Sequence, residues 1–280
     1  MKRLRIEHLT EFDYESPVAA SYNEARMIPR STQNQFVLSS ALEISPSSSE
    51  NHYIDYFGTH VVSFDVLSGH SELSITARSL VEVRAMTQTR TELGWEDLRL
   101  DATRRVDRVE MLAQTHFTRP HPELVAIARS TMESDTPFSA VRVIAEHVRD
   151  AVAYMPGSTG VHSTADEAWE ARSGVCQDIA HITLGALRAA GVPARYVSGY
   201  LHPKPDAEVG ESVIGESHAW VEWFVGDWCG FDPTNGLEIG DRHVRVGHGR
   251  DYTDVPPLLG VYAGSPRSDM RVGVTITREA

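Results

Sequence analysis

Residues 1 to about 85 are dominated by short runs of β-branched and aromatic residues broken by turn formers. Lys2 to Tyr14 alternates loosely between polar and apolar positions. Tyr53-Ile54-Asp55-Tyr56-Phe57 leads through Gly58-Thr59 into Val61 to Val66, and Ser68-Gly69-His70-Ser71 separates that run from Leu73 to Ala77. Such runs between turn signals predict antiparallel hairpins. Ser45-Pro46-Ser47-Ser48-Ser49 reads as an exposed polar loop. Residues 86–120 are charged and mixed, and read as a connecting segment.

From residue 121 the apolar spacing becomes helical. His121-Pro122-Glu123 opens a helix through Met132. Thr136-Pro137 is an N-cap followed by proline at the first helical position, and Phe138, Val141, Ile144, Ala145 and Val148 mark one face of a helix to about Ala153. Thr164 and Glu167 have capping-box spacing and open a short helix through Ala171. Ser173-Gly174 breaks the chain before a longer helix, Cys176 to Ala190, which ends at Gly191. Strands follow at Ala194 to Leu201, His218 to Val225, Trp228 to Asp232 and Met270 to Arg278. The polar, Gly- and Pro-containing runs Gly199 to Gly215 and Gly236 to Asp251 read as surface loops that could serve as lids.

Composition narrows the function classes. With 280 residues, 41% hydrophobic, the chain can bury one large core or two modest ones. The formal net charge is −13 with no basic stripe, which argues against nucleic acid or an anionic membrane as partner. The N-terminal MKRLRIEHLTEF has no apolar stretch behind its basic residues, and no run of about 18 apolar residues occurs, so the expectation is a cytoplasmic protein without a membrane span. Two cysteines, Cys176 and Cys229, do not make a disulfide framework.

Candidate chemistry centres on Ser173-Gly174-Val175-Cys176-Gln177-Asp178. A glycine break places Cys176 in a helix's first turn, where unpaired N–H groups and the positive end of the dipole favour a thiolate. Gly174 would let a substrate backbone approach, and the Cys176 N–H could stabilise an oxyanion. The alternative is a small core residue at the start of a buried helix. At about 100° per residue, Asp178 and His181 lie about 200° and 140° from Cys176, which gives both structural roles. His218 opens the β-prone segment Ser217 to Val225, and Asp232 ends the next strand just before Pro233. The order Cys176, His218, Asp232 satisfies nucleophile–base–orienter logic. A two-residue turn at Gly226-Asp227 would put His218 and Asp232 on opposite faces of the hairpin. A shared site therefore requires an odd loop or a bulge near residues 225–228. The same parity turns Cys229 away from Asp232, into the core.

These segments together resemble the bacterial transglutaminase-like superfamily: Ser173 to His181, Gly191-Val-Pro-Ala-Arg-Tyr-Val-Ser-Gly-Tyr200, Ser217-His-Ala-Trp-Val-Glu222 and Gly230-Phe-Asp-Pro-Thr-Asn-Gly236. The first 85 residues resemble the β-rich region that precedes the core in one bacterial branch, and Gly249-Arg-Asp-Tyr252 with Val255-Pro-Pro257 resembles that branch's tail. The resemblance implies an α+β fold, with a papain/transglutaminase-like core in which the nucleophile's helix packs on an antiparallel sheet. It divides the chain into a β-rich N-terminal domain at 1–85, a connecting segment at 86–120 and a catalytic core with a C-terminal strand at 121–280. It also implies a Cys176-His218-Asp232 triad acting on a peptide or protein amide through a thioester, without a cofactor.

Tyr154 and Trp169 are candidates for the second oxyanion donor, each also readable as a core aromatic. Peptide hydrolysis is the first reading, acyl transfer to an amine the second, and a non-catalytic peptide-binding module the third. Zinc held by Cys176, His181 and His218 is disfavoured, because no paired ligand spacing supports it. Exposed edges of the N-terminal region could permit a homo-oligomer.

Overall fold

The computed structural model describes residues 1–46, 49–85, 93–134, 136–215, 217–264 and 266–280. Part of the predicted polar loop (Ser47, Ser48) and of the connecting segment (86–92) lies outside them.

The chain begins with β1 (Lys2–Val18), β2 (Ala20–Ala25), β3 (Gln35–Ser45), β4 (Ser49–Ile54), β5 (His60–Val66) and β6 (His70–Val83). Helices α1 (Trp95–Arg104) and α2 (Val106–Val109) occupy the connecting segment, followed by α3 (Pro122–Ser134) and α4 (Pro137–Ala151). Next come β7 (Ala153–Tyr154), α5 (Ala165–Ala171), β8 (Ser173–Gly174), α6 (Cys176–Ala189) and β9 (Ala194–Leu201). The chain continues through β10 (Ser212–Gly215), β11 (Ser217–Phe224), β12 (Trp228–Asp232), β13 (Leu237–Glu238), β14 (His243–Gly249), β15 (Leu258–Ala263) and β16 (Ser268–Arg278).

Two sheets form the β-rich part, in the orders β10-β16-β1-β6-β3 and β15-β2-β5-β4. The alternation of β1 explains their packing. Leu4, Ile6, His8, Thr10 and Tyr14 are buried, while Arg5 and Glu7 between them are exposed and pair with Glu279 and Arg78. One apolar face therefore serves two neighbours. Leu4 and Ile6 cluster with Tyr200, Val244 and Val246 of the central sheet, and Tyr14 and Val18 cluster with Phe64 and Val66 of the smaller sheet. Between the two clusters the His8 ring contacts the Tyr200 hydroxyl at 3.0 Å, and that hydroxyl donates to the Met27 carbonyl at 2.8 Å.

β15 and β16 alter the expected domain boundaries. β16 pairs with β1 from Leu4↔Arg278 to Tyr14↔Ser268, and β15 pairs with β2. The C-terminal strands belong to the N-terminal β-rich unit rather than to the 121–280 core, because their alternating side chains complete its sheets. The runs expected to be surface loops are also largely ordered. β10 lies on β16, and β14 is an edge strand of the central sheet.

The central sheet has the order β13-β12-β11-β9-β14, and α6 packs against it. Gln177 to Arg188 are all buried, since α3, α4 and α5 cover the side of α6 away from the sheet. A side chain at Gly185 would place its Cβ 2.2 Å from the Thr118 carbonyl oxygen, so the close approach of the 113–120 segment requires glycine. The buried Arg188 guanidinium donates to the carbonyls of Met111, Ala194 and Arg250, which joins the helix's C-terminal end to three neighbouring segments.

Ile276 is fully buried where the β-rich sheet meets the central sheet. Ile276→Ala is expected to cost about 2–5 kcal/mol in urea unfolding, whereas Val272→Ala, at an exposed position further along the same strand, is expected to change stability by about 0.5 kcal/mol or less.

Candidate active site

α6 sets the position of Cys176. The helix begins at that residue, so the N–H groups of Cys176 and Gln177 have no carbonyl one turn earlier to bond. Asp178, at the third helical position, reaches back to accept the Val175 N–H at 2.8 Å, and the same oxygen accepts the Thr159 hydroxyl at 2.6 Å. Its other oxygen is buried with no hydrogen-bond partner among the described residues, and burial raises the carboxyl's pKa. Gln177 Nε2 donates to the Val161 carbonyl at 3.1 Å, so residues 159–161 are tied to the helix start by two side chains.

The turn between β11 and β12 has the required odd length. Phe224 pairs with Trp228, leaving Val225, Gly226 and Asp227 as a three-residue loop with Gly226 at φ +124. In this register Trp220 lies opposite Asp232, which places His218, Trp220 and Asp232 on one face. His218 Nε2 meets Asp232 Oδ2 at 2.7 Å. Cys176 is also close to the ring and, like Asp232, favours the charged imidazole. Burial alone would lower the His218 pKa, but Asp232 and Cys176 outweigh it and raise the pKa to about 10.

Asp232 is fully buried. Its Oδ1 accepts the N–H groups of Thr234 and Asn235 at 3.0 and 3.1 Å, while Oδ2 accepts from His218 and from Asn235 Nδ2 at 2.8 Å. His243 Nε2 lies 3.5 Å from the same oxygen. Because the Gly240 N–H donates to His243 Nδ1, the ring proton sits on Nε2 and points at the carboxylate. Burial would raise the Asp232 pKa, yet these donors hold it well below the usual carboxylate range.

Cys176, His218 and Tyr154 line a cleft of about 310 Å³ with Leu201, Pro203 and Ile214. Trp169, Gly174, His181 and Cys229 do not line this cleft. Trp169 is buried within the helical layer; its Nε1 donates to Glu123 at 2.9 Å and the Arg172 guanidinium stacks 3.9 Å from its ring, so it is not an oxyanion donor. Gly174 is buried, and a Cβ there would lie 2.7 Å from the Cβ of Asp178. Its missing side chain makes room for that capping residue rather than for a substrate. His181 accepts the Tyr252 N–H at 3.1 Å, and burial depresses its pKa to about 4. Cys229 sits in the core beneath the sheet, where burial pushes its thiol up to about 11. Among the described residues no cluster of three or more His, Cys, Asp or Glu side chains is arranged to hold a metal ion.

His243, Thr234 and Asn235 were not anticipated as site residues. Asp232-Pro-Thr-Asn235 carries the signal of an Asp side chain capping the N–H groups two and three residues on. His243-Val-Arg-Val alternates as a strand does.

The sequence profile of the bacterial transglutaminase-like N-terminal region matches residues 4–82, and that of the transglutaminase-like superfamily matches residues 125–233. An uncharacterised protein of Mycobacterium leprae is 44% identical over 281 residues, covering 100% of both chains. A protein-glutamine gamma-glutamyltransferase of Pseudomonas aeruginosa is 32% identical over 127 residues, which span 42% of this chain and 19% of that protein. A solved structure of a candidate cysteine protease from Cytophaga hutchinsonii has a TM-score of 0.76 at 20% identity, covering 99% of this chain and 97% of that one, a likeness of fold.

The His218–Asp232 pair makes stability depend on pH in a defined sense. The contribution of His218 is complete below about pH 6.5 and is lost as pH rises through about 10. That of Asp232 is complete above about pH 4 and is lost as pH falls through its depressed value. In Asp232→Asn, the His218 titration midpoint read by imidazole NMR is expected to fall from about 10 toward the ordinary value of about 6.5.

Proposed function

The chain belongs to the transglutaminase-like superfamily, and within that superfamily we propose that it is a cysteine-dependent amide or peptide hydrolase with Cys176 as nucleophile, His218 as acid and base, and Asp232 as the residue that orients His218. One observation carries this reading: His218, hydrogen-bonded to a buried carboxylate, lines the same open cleft as the Cys176 thiol.

In the proposed reaction the Cys176 thiolate attacks the amide carbonyl carbon. A C–S bond forms and the carbonyl π pair moves to oxygen, within reach of the N–H of Cys176 at the helix start. Tyr154 remains the candidate second donor, supported by its place in the cleft. The developing amine takes the proton held between His218 and Cys176, the C–N bond breaks, and a thioester remains. Water then attacks the thioester, giving its proton to His218 as the C–S bond breaks. The carboxylic acid leaves and the thiolate–imidazolium pair is restored. Asp232 keeps its charge throughout, while Asn235, Thr234 and His243 hold it in place.

Acyl transfer to an amine is the second reading. It is favoured by the similarity over residues of a protein-glutamine gamma-glutamyltransferase. The two readings share every step up to the thioester and differ only in what resolves it.

Iodoacetamide labelling followed by peptide mass spectrometry provides the test. Cys176 is expected to label fast well below pH 8 while Cys229 stays inert, and His218→Ala is expected to slow the labelling of Cys176 and to lower peptide-hydrolysis rates by about 10²–10⁴-fold. Slow labelling with an ordinary thiol profile would refute the nucleophile and leave a non-catalytic peptide-binding module. Among active samples, a product carrying an added primary amine instead of a free carboxylate would assign transfer rather than hydrolysis.

A further inference from the structure

Strand β10 is an edge. It pairs with β16 through Ser212↔Thr277 to Gly215↔Val274 and ends its sheet. The Arg278 N–H donates to the Glu211 carbonyl, which sets the phase of the ladder: residues 211, 213 and 215 turn their backbone groups toward β16. The N–H and C=O of Ile214 therefore face the open side, and among the described residues nothing pairs with them. Ile214 also has a side chain that is 89% exposed, the most exposed large apolar side chain among the described residues. An unprotected edge and a bare isoleucine are both features that natural sheets usually avoid.

This edge borders the cleft that contains Cys176 and His218. The cleft wall beside it is apolar, formed by Leu201 and Pro203 together with Ile214. Among its described lining residues there is no Lys, Arg, Asp or Glu. A ligand that satisfies the edge must offer alternating N–H and C=O groups in an extended chain, and one that matches the wall must carry uncharged aliphatic side chains.

We propose that the acyl donor is an extended peptide with aliphatic side chains on the acyl side of the scissile bond, and that it binds by adding a strand to the open edge of β10, pairing with the backbone N–H and C=O of Ile214. This rests on the hydrolase reading, because it uses the same cleft. Strand addition gives affinity through main-chain bonds, and the Leu201–Pro203–Ile214 wall selects the side chain. In this arrangement the β-rich unit forms one wall of the cleft and the helical core supplies the nucleophile.

The test is an N-methyl scan of a fluorescein-labelled hexapeptide built from alanine, valine and leucine, with binding to Cys176→Ser protein read by fluorescence polarisation. Methylation is expected to weaken binding about tenfold or more at alternate positions only, because strand pairing uses every second N–H. Replacing the aliphatic residue on the acyl side by glutamate is expected to weaken binding by a similar factor. Ile214→Pro, which removes the N–H that a peptide carbonyl would accept at a position where an edge strand tolerates proline, is expected to weaken binding of the unmethylated peptide about tenfold. A flat methylation profile, an absence of binding, or undiminished binding of the unmethylated peptide to Ile214→Pro would overturn the proposal. The scan on the Ile214 wild-type background does not depend on how the proline variant folds. Iodoacetamide labelling of wild-type Cys176 reads the hydrolase reading separately: fast labelling with a flat scan overturns only the edge-strand proposal, and slow labelling with a period-two scan overturns only the chemistry.

Discussion

A carboxylate with no access to water must be matched by donors, and much of this site is arranged around that requirement at Asp232. Its two oxygens accept backbone N–H groups from the turn that follows, an amide from Asn235, and imidazole N–H groups from His218 on β11 and His243 on β14. The donors are gathered from the turn after β12 and from two strands, on one face of the central sheet. The carboxylate stays charged because the donors outweigh burial. Its charge in turn keeps the His218 ring protonated and aimed at the start of α6. Removing the charge would leave several buried donors unpaired as well as freeing the imidazole, so folding and orientation are coupled at this residue.

The remaining architecture holds the two ends of that arrangement in register. α6 is buried along nearly its whole length, and its last turn is fixed by Arg188, so Cys176 at its other end has little freedom to shift. On the opposite face of the central sheet, Glu222 on β11 bonds Arg195 on β9 and Arg245 on β14. These ion pairs are largely shielded from water, and a slipped strand would leave their charges unmatched. β9, β11 and β14 are thereby locked to one another, and His218 and His243 are carried on two of them.

Much of this was legible in the sequence, and the parts that were not have physical reasons. Helix starts at Thr136, Thr164 and Cys176 were readable because capping chemistry is local. The three-residue turn followed from parity alone, since two side chains that must meet cannot sit on opposite faces of a hairpin. By contrast, β10, β14 and β15 are short strands, the first two mixing polar residues and glycine with apolar ones, and their order comes from distant partners: β10 from β16, β14 from β9, and β15 from β2. Local propensity carries no record of such pairings. His243 was missed because, although His243-Val-Arg-Val alternates as a strand does, its place beside Asp232 depends on the non-local pairing of β14 with β9. Trp169 was misplaced because an aromatic near the nucleophile in sequence is not thereby near it in space. Its indole faces Glu123 on α3.

The pairing of β10 with β16 also orders events during synthesis. β10 is held by a strand that leaves the ribosome well after it, whereas α6 and the β9–β11–β12 hairpins that carry the thiol, imidazole and carboxylate are all translated before β16. Domains fold as their segments emerge. The elements that carry Cys176, His218 and Asp232 therefore precede in the chain the strand that holds one wall of their cleft. One wall of the cleft is thus completed by a strand remote in sequence from Cys176, His218 and Asp232.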